Sequence, residues 1–188
     1  MDDGLKSSQK YGSSGSIIKK NDFVTKNFWL NGYNGVWTID HDDGSQFYND
    51  TANVLVWGGC KNYRGNSKSC DHNLILYPGI GERSSGGRRC QTDDNGIFAN
   101  QFFHNNTCLT QDGDFYSFGH CSDKSVDSEA YHTEFNTFLA PGALFASGCG
   151  STKDLKDWQK LGQDHGSTAA DAPSVDAIVK MVGEKLAA

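Results

Sequence analysis

The chain has 188 residues, a formal net charge of -6 at pH 7, 36% hydrophobic residues and 22 glycines. This length allows one domain with a hydrophobic core, and the frequent glycines favour a β protein with many turns over a helical protein. The acidic balance argues against general binding to nucleic acid or to acidic membrane surfaces, and no apolar run of about 18 residues predicts a membrane span.

The first 150 residues divide into two segments of different composition. Residues 1–20 are polar and rich in serine and glycine, which predicts a flexible lead-in. Residues 21–150 contain short apolar runs separated by Gly, Asn, Asp and Ser, the pattern of successive short strands. The runs are Phe23-Val24, Phe28–Leu30, Val36–Ile39, Val54–Trp57, Leu74–Tyr77, Ile97–Phe103, Phe115–Phe118, Phe135–Leu139 and Leu144-Phe145.

Asparagine recurs along these runs. Asn27, Asn53, Asn73, Asn105 and Asn136 follow one another at intervals of 26, 20, 32 and 31 residues. Intervals of this size predict coils of a parallel β-helix, in which each turn of the chain adds strands to stacked sheets. Asparagine at a coil corner can adopt the left-handed backbone conformation and hydrogen-bond its neighbours in adjacent coils. An antiparallel sandwich or jelly roll, with strands at the same spacing, is the alternative fold.

Residues 151–188 change to a helical pattern. An apolar face at Leu155, Trp158 and Leu161 predicts a first helix, and a second is predicted after Pro173. The residues that indicate the bounds of the first helix are Ser151 or Thr152 at the N-cap and Gly162 at the stop. The apolar stripe of the second helix consists of Val175, Ile178, Val179, Val182 and Leu186. We expect both helices to cap the open end of the coils, where strand edges need cover. A helix that binds a membrane or a partner is the alternative.

The six cysteines predict disulfides, because their number is even and no C-x-x-C pair suggests zinc. Closeness in sequence favours the pairs Cys60–Cys70 and Cys108–Cys121, which leaves Cys90–Cys149. The chain also has two N-glycosylation sequons, Asn49-Asp-Thr51 and Asn105-Asn-Thr107. N-glycosylation and disulfide formation both take place in the secretory pathway. The sequence therefore predicts an extracellular or secretory location with all six cysteines oxidised.

The segment between the strand-like runs Val36–Ile39 and Asn53–Trp57 is the candidate reacting centre. If the first strand continues to Asp42, then Asp40 and Asp42 share one face, about 7 Å apart at the backbone, and His41 lies on the other. Two such carboxylates could act on a glycosidic bond or bind a cation. A turn stabilised by Asx hydrogen bonds is the third interpretation.

Four segments carry a family resemblance: IDHDDGSQFYNDTANVLVWGGCKNYRG, NQFFHNNTC, FYSFG and LKDWQKLGQDHGSTAADAPS. They resemble the right-handed parallel β-helix proteins of the carbohydrate-active type, which include glycoside hydrolases, polysaccharide lyases and uronan epimerases. The resemblance covers about Asn27 to Leu186. It implies an all-β solenoid with short C-terminal capping helices and a polysaccharide or oligosaccharide as ligand. It also implies either no cofactor or Ca²⁺, and further coils before Asn27 in a longer chain.

The resemblance implies three hypotheses for the reacting centre. Hydrolysis assigns the acid, base and nucleophile roles to aspartates, with Lys61 holding the sugar or tuning a carboxylate; these aspartates are Asp40, Asp42 and Asp43. In a lyase or epimerase, a Lys, His or Tyr removes the C5 proton of a uronate and a cation neutralises its carboxylate; the candidates are His41, Lys61, Tyr63 and Arg64. The third hypothesis is a glycan-binding or structural β-helix without turnover. A catalytic chain should gather these groups in one concave site, whereas a structural chain should use them in turns and salt bridges.

Other residues give weaker signals. Tyr63 and Tyr116, flanked by polar residues, are predicted to line a cleft. Most of the other aromatic side chains in the strand-like runs are predicted to lie in the core, with stacking on sugar rings as the alternative; these are Trp37, Trp57, Phe102, Phe103, Phe115 and Phe118. Three arginines in the segment ERSSGGRRC are predicted to face either an acidic polysaccharide or solvent; they are Arg83, Arg88 and Arg89. Three histidines could align on successive coils; they are His104, His120 and His132. No metal site is predicted, since Gly44 comes one position too early for an EF-hand loop.

Overall fold

The computed structural model describes residues 22–30, 37–42, 45–62, 65–78, 89–93, 100–118, 121–122, 125–126, 131–146 and 154–188. The lead-in 1–20 and the site candidates Asp43, Tyr63 and Arg64 lie outside these residues. The described part is all-β, with three parallel sheets, one short antiparallel pair and two α-helices.

Seventeen strands were assigned in the described residues. They are β1 Asp22–Thr25, β2 Phe28–Leu30, β3 Trp37–His41, β4 Tyr48–Thr51, β5 Val54–Val56, β6 Gly59–Asn62, β7 Lys68–Asp71, β8 Leu74–Leu76, β9 Gln91–Asp93, β10 Gln101–His104, β11 Thr107–Leu109, β12 Tyr116–Phe118, β13 Cys121–Ser122, β14 Ser125–Val126, β15 Tyr131–Glu134, β16 Thr137–Ala140 and β17 Thr168–Asp171. The helices are α1 Leu155–Gln159, α2 Val175–Ala187 and a 3₁₀ turn, Pro141–Ala143.

From β1 to β12, consecutive strands visit the three sheets in turn. The first sheet has the order β1-β4-β7-β10-β15, the second β2-β5-β8-β11-β16-β17 and the third β3-β6-β9-β12. Every pairing within them is parallel, and among the strands that the structure describes only β13 and β14 pair antiparallel. This path is compatible with a β-helix-like fold. It does not fit the antiparallel sandwich or jelly roll, because sheets of those folds are built from antiparallel neighbours.

Along each strand, every second side chain points inward, and these side chains form one core between the sheets. In β10, for example, Gln101 and Phe103 are buried while Phe102 and His104 are half-buried. The core includes side chains from each sheet, among them Leu55, Ile75, Phe103, Tyr116 and Phe138. Tyr116 is 0% exposed and donates a hydrogen bond to Asp164 Oδ1 at 3.1 Å. Its prediction as a substrate-binding residue is therefore wrong, because a side chain in the closed interior cannot contact a polysaccharide.

A ladder of asparagine side chains connects the coils at the corner between the first and second sheets. The backbone N–H of each ladder residue donates to the side-chain oxygen of the next, at 2.7 to 3.0 Å. The ladder consists of Asn27, Asn53, Asn73, Asn106, Asn136 and Ser167. From Asn53 to Asn136, each amide nitrogen also donates to a backbone carbonyl of an adjacent coil, at 2.8 to 2.9 Å. Buried polar groups at this corner are thus paired with one another.

The left-handed residue at this corner is the one before the ladder asparagine. The residues with positive φ are Lys26, Ala52, His72, Asn105 and Phe135, with φ between 52° and 58°. The repeat in the sequence predicts Asn105 as the ladder residue, but the ladder residue is Asn106, and Asn105 occupies the left-handed position. The tight corner thus turns at one residue and is stabilised by the side chain of the next.

Helix α1 covers the interior at its C-terminal end. Trp158 is 0% exposed, stacks against Tyr116 and Phe118 in the core, and donates from Nε1 to Asp164 Oδ2 at 2.8 Å. The N-cap is Asp154, which accepts from the Asp157 N–H, rather than the predicted Ser151 or Thr152. Burial raises the pKa of Asp164, although its four hydrogen-bond donors partly offset this effect. The residues 151–188 are not helical throughout, since β17 extends the second sheet.

Helix α2 packs along the side of the second sheet rather than over the end of the coils. Ile178 is buried against outward side chains of that sheet, and Met181 and Val182 are partly buried there. The other members of the predicted stripe are exposed: Val175, Val179 and Leu186. Near its end, the Ala188 carbonyl accepts a hydrogen bond from Lys26 Nζ at 3.1 Å. The helix therefore runs back towards the first coil and covers an apolar sheet face.

Among the cysteines whose side chains the structure describes, two disulfides form inside the coils, which is compatible with an extracellular protein. The pair Cys60–Cys70 confirms the prediction, with a Cα–Cα distance of 6.6 Å. The second pair is Cys90–Cys108, at 6.3 Å, so the predicted Cys108–Cys121 and Cys90–Cys149 pairs are wrong. Closeness in sequence failed because pairing depends on which inward-facing residues the sheets bring together. The side chain of Cys121 and all of Cys149 lie outside the described residues.

Candidate functional site

A bulge in β3 determines which side chains reach the outer face of the third sheet. The pairing of β3 with β6 shifts between Trp37 and Ile39, so that Asp40 lies beside Lys61. Ile39 and His41 are buried, while Asp40 is exposed. A bulge changes the direction of side chains on the strand that carries it. Here it brings Trp37 to the same side as Asp40 and Lys61.

Lys61 forms salt bridges with two aspartates of the acidic segment. Its Nζ lies 2.8 Å from Asp40 Oδ1 and 2.9 Å from Asp42 Oδ1. The same ammonium lies 4.5 Å from the centroid of the Trp37 ring, within the range of a cation–π contact. The Lys61 side chain is only 10% exposed, whereas those of Asp40 and Asp42 are 44% and 55% exposed. One buried cation thus positions two accessible carboxylates beside an indole ring.

The electrostatics of this cluster keep Lys61 charged. Burial acts to lower the pKa of Lys61, but hydrogen bonds and charge from Asp40 and Asp42 outweigh it, and the net shift is upward. An amine that must remove a proton near neutral pH needs a lowered pKa. Lys61 is therefore unsuited to the base role of the lyase hypothesis.

His41 lies on the opposite face of β3, as the alternation of the strand predicts. Its Nε2 is 2.6 Å from Asp50 Oδ2, and its ring stacks on Tyr48 at a centroid distance of 4.2 Å. Lys68, which is fully buried, donates to the His41 carbonyl at 3.4 Å. The structure therefore brings together Asp40, Asp42 and Lys61 and places His41 in the interior, away from them.

A second ionic cluster beside the third sheet was not predicted. Arg89 precedes β9 and forms an ion pair through Nη2 with Asp114 Oδ2, shortly before β12. Burial raises the pKa of Asp114 to about 6; Arg89 opposes this shift and Asp112 adds to it. Perturbed carboxyl groups occur in active sites and also in structural ion pairs. Arg89 was expected to face either an acidic polysaccharide or solvent, and no sequence motif links it to Asp114, 25 positions along the chain.

The outer face of the first sheet presents a third polar cluster. His72 Nδ1 and His104 Nδ1 each lie 2.7 Å from Asp71 Oδ1. His104 and His132 do fall on adjacent strands, but His132 lies opposite Phe102, on which it stacks at 4.7 Å. His120 lies outside the described residues. In the part of the chain that the structure describes, no group of three or more His, Cys, Asp or Glu side chains could hold a metal ion.

Acid should weaken the fold through Asp71. Burial alone raises the pKa of this carboxyl, but hydrogen bonds from His104 and His72 dominate and lower it from the usual 3.8 to about 2. A lowered pKa means that this stabilisation is complete above about pH 4 and is lost as the pH falls towards 2. We expect the difference in melting temperature between the native chain and Asp71→Asn to shrink over this window. Asp22→Asn, which changes an exposed carboxylate, is the control; an equal pH response in both variants would contradict the assignment.

Comparison of the chain with protein families, curated proteins and solved structures gives no match. Among the described helices, none combines the length and apolar composition that a membrane crossing requires.

Proposed function

We propose that this chain is a secreted right-handed parallel β-helix domain that binds a neutral polysaccharide on the outer face of its third sheet. The observation that carries the proposal is the cluster of Asp40, Asp42 and Lys61 beside Trp37. The solenoid itself is proposed from the regular passage of the chain through three parallel sheets. Its right-handedness follows from the strong preference of parallel strand connections for that hand.

The cluster has the properties of a sugar-binding surface. Two exposed carboxylates accept hydrogen bonds from sugar hydroxyls, and the indole of Trp37 offers apolar surface next to them. Lys61 fixes both carboxylates before a ligand arrives, which reduces the ordering cost of binding. One ammonium and two carboxylates leave a net negative charge. This charge favours a neutral glycan over a uronate-containing one.

Hydrolysis is the competing function for the same residues. It requires one protonated carboxyl and one ionised carboxylate on opposite sides of the glycosidic bond. Asp40 and Asp42 instead both form salt bridges with the ammonium group of Lys61 in β6. A chain without catalytic turnover is expected to use these carboxylates in salt bridges of this kind. Binding without cleavage is therefore the function that the geometry supports best.

Affinity electrophoresis of the disulfide-bonded chain in gels with neutral or uronate-rich polysaccharides tests this proposal. We expect retardation by a neutral polysaccharide, and a loss of affinity of about tenfold or more in Asp42→Asn, because a hydrogen bond to a charged group contributes about 1.5 to 3 kcal/mol. Asp176→Asn, which removes an exposed carboxylate on α2, should bind like the native chain.

Product analysis separates binding from hydrolysis. The native chain should release no reducing ends from the polysaccharide that it binds. Release that disappears in Asp40→Asn, Asp42→Asn or Asp43→Asn but persists in His41→Ala would establish hydrolysis instead. Cleavage that depends on Lys61 and yields unsaturated uronate ends would establish the lyase alternative. If the chain bound none of the neutral polysaccharides tested, the proposal would be wrong.

A further inference from the structure

The two glycosylation sequons occupy different environments in the fold. Asn105 lies at the exposed corner between β10 and β11, with φ 56°. Its amide nitrogen contacts Asp71 Oδ1 at 3.2 Å and His104 Nδ1 at 3.0 Å, both near solvent. Asparagine tolerates this backbone conformation better than most residues, so the corner suits it with or without a substituent.

Asn49 lies within a central strand. It belongs to β4, where its neighbours across the sheet are Phe23 of β1 and Ser69 of β7. The residue is half-buried, and its side-chain oxygen is shielded from solvent. A glycan on this amide would lie over the face of the sheet, against the side chains of both flanking strands. Asn105, by contrast, has no strand pairing of its own.

The folded chain can accommodate a sugar on Asn105 without loss of its main stabilising contacts. The ladder continues through the next residue, Asn106, whose side chain is buried and points to its neighbours in adjacent coils. A substituted amide keeps one N–H, so one of the two contacts of Asn105 can remain. Asn105 is one of the residues that line an open surface pocket of about 310 Å³ beside the last turns of α2. A first sugar on Asn105 therefore has open space next to it.

We infer that Asn105, and not Asn49, is the N-glycan acceptor of this chain. The donor is a lipid pyrophosphate-linked oligosaccharide. The Nδ2 atom of Asn105 forms a bond to the anomeric carbon of the first sugar, the bond from that carbon to the lipid pyrophosphate breaks, and the amide loses one proton. The inward disulfides Cys60–Cys70 and Cys90–Cys108 belong to the same oxidising compartment in which this transfer takes place.

Site mapping on the secreted chain tests the inference directly. The chain is directed through the secretory pathway of a eukaryotic host and treated with peptide N-glycosidase in heavy-oxygen water, which converts each modified asparagine into labelled aspartate. Peptide mass spectrometry should find the label at position 105 and not at position 49. Asn105→Gln should lose the mobility shift on deglycosylation completely, whereas Asn49→Gln and Thr107→Ser should keep it.

Label at position 49, alone or together with position 105, would overturn the choice between the two sequons. A secreted native chain without label at either position would overturn the inference as a whole. Because the mapping uses the native sequence, neither result depends on the folding of a variant.

Discussion

Replacing Asn106 with alanine is expected to lower the free energy of unfolding by about 3 kcal/mol or more, since each buried polar group left without a partner costs about 1 to 3 kcal/mol. The Asn106 side chain accepts from the Asn73 N–H at 2.8 Å and donates to the Cys70 carbonyl at 2.9 Å. Both partner groups are enclosed in the interior, where water cannot replace the lost amide.

The adjacent asparagine provides the matched control for this variant. Asn105 is exposed and stands outside the ladder, and glycine accepts its positive φ without strain. Asn105→Gly should therefore change stability far less than Asn106→Ala in denaturant unfolding followed by fluorescence. If the two variants lost similar stability, the ladder would not be the main contribution of this corner.

Truncation of Trp158 to alanine should destabilise the fold by about 3 to 5 kcal/mol, the usual cost of removing a fully buried tryptophan. The indole fills the space beneath α1 against Tyr116 and Phe118, and its N–H is one of the donors to Asp164. Without it, the helix loses its anchor and the buried carboxyl loses a hydrogen bond.

Thermal melts of two further variants separate packing from hydrogen bonding at this position. Trp158→Phe retains much of the ring volume and should fall between the native chain and Trp158→Ala. Val179→Ala removes an exposed side chain of α2 and should have little effect. A Trp158→Ala chain that melts at the native temperature would show that α1 is not docked on the core.

The repeat in the sequence predicted the parallel sheets but not the details of their corners. Asparagines spaced by 20 to 32 residues indicate coils, because few other folds return to the same corner at such intervals. The position of the ladder within the pair Asn105-Asn106 could not be predicted, since both are asparagines. The left-handed residues also include Lys26 and Phe135, which carry no glycine signal.

The candidate site was predicted in part. Strand alternation was sufficient to separate Asp40 from His41. Lys61 was expected either to hold the sugar or to tune a carboxylate, and it contacts both Asp40 and Asp42. The bulge before Ile39 and the contact with Trp37 depend on the pairing of β3 with β6, which a single sequence does not reveal. The ion pair of Arg89 with Asp114 joins different coils across connections of irregular length, so spacing gave no indication of it.

The asparagine ladder keeps successive coils aligned with one another even where the coils differ in length. The bonds that join Asn53 to Asn73 span 20 residues, and equivalent bonds join Asn73 to Asn106 across 33. The same donor and acceptor atoms form the ladder bonds at both spacings. We therefore expect the connecting segments to accept insertions and deletions as long as the ladder asparagine is kept. A lineage of such chains could diversify its surface segments freely while its interior architecture stayed constant.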